Sequence, residues 1–370
     1  ILEAPATLLT ADVTTAGAVA GAGAVTVVKH NGSLNLITLR FRLKEVAMKA
    51  ATAAFKIGET EYPAGSFIIE SAGDRVKKEI ESLGLVAAAV SSAPAVETAN
   101  VDVPRIAMYT TWANTEKVGW VRLAFDRWEI PYDLIHKDHV QAGANLVSKY
   151  DVIVMPHQTT NGKSIVYEQP KLSKPLPYKK NDTAGAAEFQ KFVEAGGVLM
   201  TLGVASYFPA EFGIAKGVDA QAPAPGFYAP GPYVNSEILL PNHPVMFGYA
   251  QKTLPIRYAG GPLLQAGPPA GFEQFAAASP DRPQVIARFT GGEAGVLSGL
   301  MRNPDQTRNR PMIVDAAAGK GRVIMFANNP IYRWQTFGEH GMVFNGLLFW
   351  NDMPAAGAGA KPMPSAAGQQ

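Results

Sequence analysis

Cysteine is missing altogether from this 370-residue chain, and its absence excludes disulfides, thiolate nucleophiles, Cys-ligated zinc and iron–sulfur clusters. Charge is scarce: Asp, Glu, Lys and Arg make up 17% of the residues, against roughly 25% in an average globular protein. The two signs nearly cancel, 33 Lys and Arg against 31 Asp and Glu. No basic excess exists to hold a phosphate backbone, so nucleic acid is not an expected partner. Long apolar runs are lacking as well. The longest uncharged small-residue stretch, 16–28 (AGAVAGAGAVTVV), falls short of the roughly 20 residues a spanning helix needs and is broken by glycine. No membrane span is expected. The chain opens on Ile1 with neither a basic n-region nor a continuous apolar h-region, and it reads as a processed product or fragment.

What is abundant is turn chemistry, with 36 Gly and 28 Pro. A surface poor in charge and rich in turns suits a secreted chain, or a subunit that hides much of its surface in contacts. The pattern divides the chain into a small mixed α/β module over 1–92, a linker over 93–104, an α/β domain over 105–352 and a low-complexity tail over 353–370. In the first module, AVTVV at 24–28 reads as a strand, Asn31-Gly32 as a turn, and Ser33 as an N-cap for an amphipathic helix over 34–43. Three short β-like runs follow over 46–70, then a helix over 74–83 and an Ala/Val-rich strand.

The second domain alternates strand and helix as a doubly wound parallel sheet does. Strands are expected at 105–110, 150–155 and 198–202, with helices over 116–128 and 186–195. A hairpin is expected at Gly319-Lys320-Gly321 and a closing helix over 337–350. Residues 207–282, crowded with Pro and aromatics, read as long loops holding a few strand-like pieces. The rings around 207–233 could line a carbohydrate or peptide groove, or be pinned on the core.

In an open α/β sheet, ligands sit beyond the carboxyl ends of the strands. The groups at those positions are Trp112, Asn114, Thr115 and Glu116, then His157 and Gln158, then Gly203 and Ser206, then Asn328, Asn329 and Arg333. The candidate binding set is Asn114, Glu116, Trp120, His157, Gln158, Arg333 and His340. The same residues also read as helix caps and rim hydrogen-bonding groups. If the site is catalytic, Glu116 would be a general base, His157 an acid or base, and Arg333 an anion clamp. A nucleophile elbow, Gly-x-(Ser or Cys)-x-Gly, has no match: the corresponding run is Leu202-Gly203-Val204-Ala205-Ser206. His136 and His139 form an H-x-x-H pair in a polar stretch, too few ligands for a closed metal site. Neither a catalytic residue nor a metal site is assigned.

Several runs carry a resemblance. Residues 104–158, with RIAMYTTWANTEKVGW and YDVIVMPHQ, together with EFQKFVEAGGVLMTLG at 188–203, YPAGSFII at 62–69 and GKGRVIMFANNPIYRW within 319–349, resemble the region downstream of the peptidase domain in large bacterial zinc-carboxypeptidase-like proteins. The resemblance implies a small α/β module followed by a flavodoxin-like domain similar to class I glutamine amidotransferases. It also implies an exported protein, secreted, periplasmic or extracellular. The peptidase H-x-x-E pair has no counterpart, and His340 is followed by Gly341-Met342 where an amidotransferase triad has Pro-Glu. The expected role is therefore a non-catalytic binding or assembly portion. Its partners would be an upstream peptidase portion or identical subunits, and a peptide or glycan as ligand. No cofactor is expected in this chain, zinc entering only with the peptidase portion. The other readings are an active hydrolase using the strand-end groups and a carbohydrate or cell-wall binding module.

Overall fold

The computed structural model describes residues 5–11, 13, 15–71, 73–111, 115–140, 142–157, 162, 165, 183–267 and 282–354. The chain divides into two compact units after Asn100.

In the first unit, β1 (Ala18–Gly21), β2 (Val25–Val28), β3 (Lys49–Ala51), β6 (Phe67–Ile69), β7 (Val86–Val90) and β8 (Thr98–Asn100) form one sheet in the order β1-β7-β2-β6-β3-β8. Between β3 and β6, β4 (Phe55–Ile57) and β5 (Thr60–Tyr62) make a separate hairpin whose Phe55 and Tyr62 rings stack at 5.3 Å. Two helices, α1 (Asn35–Arg42) and α2 (Asp74–Ser82), complete the unit; α2 buries Val76 and Ile80, the i and i+4 positions of its apolar stripe. Val25, Val27, Ala51, Tyr62 and Ile68 form a core cluster. Residues 98–100, placed in the linker, extend the sheet as β8, with Lys49 opposite Asn100 and Ala51 opposite Thr98. A three-residue edge strand of small polar residues has no hydrophobic alternation to reveal it, because its pairing comes from backbone groups alone.

The second unit is built on five parallel strands: β9 (Ile106–Tyr109), β10 (Asp133–Ile135), β11 (Val152–Met155), β12 (Val198–Leu202) and β20 (Gly321–Phe326). Their spatial order is β10-β9-β11-β12-β20, with every neighbouring pair parallel. Counted along the chain this is the 2-1-3-4-5 order of the flavodoxin-like doubly wound fold. Strands covered on both faces read as continuous apolar runs, and β9, β11 and β12 are buried at every position. Helix α3 (Thr115–Arg127) follows β9, α4 (Thr183–Glu194) precedes β12, and α5 (Tyr207–Glu211) follows it.

Residues 207–282 hold more structure than their expected description as long loops. They contribute α5, β13 (Val218–Gln221), β14 (Tyr233–Ile238), β15 (Thr253–Arg257) and β16 (Leu263–Ala266). With β17 (Gln284–Phe289), β18 (Val296–Ser298) and β19 (Pro311–Ala318), β14 and β15 extend the parallel sheet in antiparallel order beyond β20. Pro255 obscured β15 in the sequence; it is tolerated because β15 ends the sheet, where a missing N–H breaks no ladder. The expected hairpin is present: β19 and β20 pair antiparallel down to Ala318 and Gly321, with Gly319 at φ 63° starting the two-residue turn. Helix α6 (Phe337–Leu348) closes the unit. Among the described residues no helix is long and apolar enough to cross a membrane.

Candidate functional site

In the 2-1-3-4-5 order the chain reverses direction across the sheet between β9 and β11, and the crevice at that switch point is where such folds take ligands. Helix α3 starts just beyond β9, and His157 lies two residues past β11. The first turn of α3 carries Glu116, where a carboxylate also complements the helix dipole. Arg333, in the β20–α6 loop, donates to Glu116 Oε1 from Nε (3.1 Å) and Nη2 (3.0 Å). This pairing holds the Glu116 carboxyl below the usual carboxylate range. Arg333 and Trp334 both have left-handed backbones, φ 46° and 56°. Two consecutive non-glycine residues in that region are costly, and such strain concentrates at ligand-handling sites.

Next to Glu116, Lys117 reaches the other side of the crevice, its Nζ 3.2 Å from His157 Nε2. His157 is 6% exposed. Burial, followed by the positive charges of Lys117 and Arg257, lowers its pKa to about 3, so the imidazole is neutral throughout the physiological range. Burial lowers the Lys117 pKa as well. The His157 ring lies against the turn after β12, where Gly203 has φ 58° and Val204 N is 3.4 Å from His157 Nδ1. A Cβ on Gly203 would come within 2.1 Å of that nitrogen. A strained strand-to-helix turn is where a nucleophile elbow presents its reactive side chain; here the left-handed position is a glycine with an imidazole packed onto it.

Arg257, at the end of β15, completes the cluster. Its guanidinium stacks on Tyr332, 3.5 Å from the ring centroid, while its backbone N–H donates to Glu339 Oε1 at 2.9 Å. Glu339 is fully buried, which pushes its carboxyl well above the usual range. Asn328 Nδ2 donates to the other Glu339 oxygen, Oε2, at 2.5 Å, so Asn328 holds the buried carboxyl in place.

The structure thus brings together Glu116, His157 and Arg333 from the sequence-derived set. Trp120 follows one turn along α3, half-buried. Trp112, Asn114 and Gln158 lie outside the described residues. His340 is not a binding residue on this geometry. It is 0% exposed in α6, ringed by Trp128, Phe337 and Phe344, with Nδ1 bonded to Thr336 O at 2.9 Å. Ser206 is likewise structural, its buried hydroxyl donating to Phe326 O at 2.9 Å and so bracing the ends of β12 and β20. His139 Nδ1 accepts from the His136 amide at 3.1 Å, which makes the H-x-x-H pair a turn-closing contact. Among the described residues no three His, Asp or Glu side chains converge as a metal site. Sequence reasoning missed Lys117 and Arg257. Lys117 was legible as the neighbour of Glu116 at a strand end, whereas Arg257 gave no signal beyond a lone charge between apolar residues.

Burial lowers the His340 pKa to about 4. Between pH about 6.5 and 4 the unfolded chain therefore takes up a proton at His340 that the folded protein refuses, so this ring costs stability as the pH falls. Urea denaturation of wild type and His340→Gln should show the wild type losing ground at low pH, by roughly 1.4 kcal/mol per pH unit in that window. Parallel pH profiles for the two proteins would show that His340 titrates normally.

No family model matches the chain, and no curated protein matches it. Among solved structures, a cytoplasmic protein from Salmonella typhimurium aligns at 17% identity, covering 67% of this chain and 99% of its own, with a TM-score of 0.43. A ThuA-like protein from Bacteroides uniformis aligns at 14% identity, covering 65% and 88%, with a TM-score of 0.39. PurLQS from Thermotoga maritima aligns at 15% identity, covering 66% and 97%, also with a TM-score of 0.39. The fold assignment rests on the strand order and register described above.

Proposed function

We propose that this chain is a non-catalytic binding portion of an exported zinc-carboxypeptidase-like protein, its amidotransferase-like unit holding a ligand at the carboxyl edge of the parallel sheet without converting it. The observation that carries this reading is the contact of Gly203 with His157. At the left-handed position of the turn after β12 there is no side chain, the space a Cβ needs is filled by the imidazole, and two residues on, where the elbow pattern has its nucleophile, stands Ala205. The protonation states point the same way. A histidine with a pKa of about 3 is a poor proton shuttle near neutrality, and Glu116 is committed to Arg333. Export, association with an upstream peptidase portion or with identical subunits, and a peptide or glycan as ligand follow from the sequence resemblance, as does zinc held by the peptidase portion alone.

Two measurements test the reading. The purified chain should neither cleave peptides with a free C-terminus nor release ammonia from glutamine. Turnover that copurifies with the chain and is abolished in Lys117→Met would overturn it. Intact mass and peptide mapping of natively produced material should find the chain joined to, or copurifying with, a segment bearing an H-x-x-E motif.

A further inference from the structure

The crevice holds more positive charge than the protein itself neutralises. Lys117, Arg257 and Arg333 contribute three cations, and among the described residues only Arg333 has a carboxylate within ion-pair distance, Glu116. Arg257 is 8% exposed. Of its five N–H donors, one reaches a backbone carbonyl, Nη2 to Pro230 O at 3.3 Å, and the guanidinium plane rests on Tyr332. Glu339 lies close enough to interact with this charge, but it hydrogen-bonds the Arg257 backbone and not the guanidinium, and its burial favours the neutral carboxyl. A buried cation without an anion is costly, and proteins retain one where a ligand supplies the missing charge. Room for this guanidinium is made by Gly231, φ 132°, where a Cβ would fall 2.3 Å from Nη2.

His157 gives an independent sign. Its Nδ1 faces the Val204 N–H and its Nε2 faces the Lys117 ammonium. A neutral imidazole carries a single proton, so whichever nitrogen holds it, one of these contacts sets donor against donor. The Val204 amide is fixed in the backbone, which favours Nδ1 as acceptor and leaves Nε2–H and Lys117 as two adjacent donors. An oxygen atom of a bound anion would accept from both. This nine-tenths-buried ring lies at the switch point where the fold takes ligands.

We propose that Lys117, Arg257 and His157 Nε2–H bind the oxyanion group of a small molecule, a phosphoryl or carboxyl group, with Arg333 at the mouth of the crevice and Tyr332 as its wall. The proposal goes beyond the binding role inferred above and rests on that role only for the absence of turnover: hydrolysis by the chain would overturn the first reading and leave the anion site standing.

The test is isothermal titration calorimetry of the full chain at constant ionic strength, with inorganic phosphate and acetate as separate probes. Saturable binding of at least one probe is expected, and the tighter of the two identifies the group. Lys117→Gln should weaken it by about tenfold or more, the loss of one charge-assisted hydrogen bond. Arg257→Gln should do the same where circular dichroism shows it folded. Lys320→Gln, in the β19–β20 turn, removes the same charge at a distance from the crevice and should leave binding unchanged. Absence of saturable heat with both probes, or equal weakening by Lys117→Gln and Lys320→Gln, would overturn the proposal.

Discussion

Asp315→Ala is expected to lower stability by roughly 3–5 kcal/mol, the range for removing one member of a buried ion pair. Asp315 sits in the middle of β19, 3% exposed, and its Oδ2 accepts from Arg322 Nη1 on the neighbouring strand β20 and contacts His243 Nε2 at 3.1 Å. Arg322 in turn reaches the Pro354 carbonyl at 3.0 Å. Removing the carboxylate leaves a largely buried guanidinium and a buried imidazole facing an empty space. The cost is the desolvation of those groups and not merely the lost bond. Asp315→Asn keeps an acceptor and should lose less. The double variant Asp315→Leu, Arg322→Met removes both charges and should recover much of the loss. Guanidinium titrations of the three variants check this. Equal midpoints for wild type and Asp315→Ala would mean that the network adds nothing to stability.

Gly203→Ala is expected to cost roughly 2–5 kcal/mol. A left-handed backbone costs an L-residue about 1–2 kcal/mol, and forcing an extra carbon into a filled space typically adds 1–3 kcal/mol. Both apply at a φ of 58° and a distance of 2.1 Å from His157 Nδ1. The two contributions separate experimentally. His157→Gly placed on top of Gly203→Ala removes the overlap but not the backbone strain, so it should restore the part due to crowding. A side chain at 203 fits only if His157 leaves. No gain in stability from His157→Gly in the Gly203→Ala background would show that the ring does not occupy the space a side chain at 203 needs.

The strand ends were legible because fully buried parallel strands are short apolar runs bounded by turns: IAMY, VIVM and VLMTL announce β9, β11 and β12. Once those strands were placed, the fold's own rule pointed to Glu116, His157 and Arg333. In the antiparallel extension, β14, β15 and β18 were hidden, since Pro and Gly break the alternation while edge positions and bulges tolerate them. His340 was misjudged because a histidine in an apolar helix looks the same in sequence whether its ring meets a ligand or, as here, Trp128, Phe337 and Phe344.

By itself the sequence determined that no thiol chemistry is available, that the second unit is a doubly wound α/β sheet, and which residues follow the carboxyl ends of its strands. Each follows from composition or from local hydrophobic periodicity. Only the tertiary structure decided that Arg257, 140 positions beyond Lys117 in the numbering, stands in the same crevice, that His157 lies on Gly203, and that His340 belongs to the core. Those facts depend on which segments pack together, and side chains brought close by sheet order leave no spacing in the chain by which to find them.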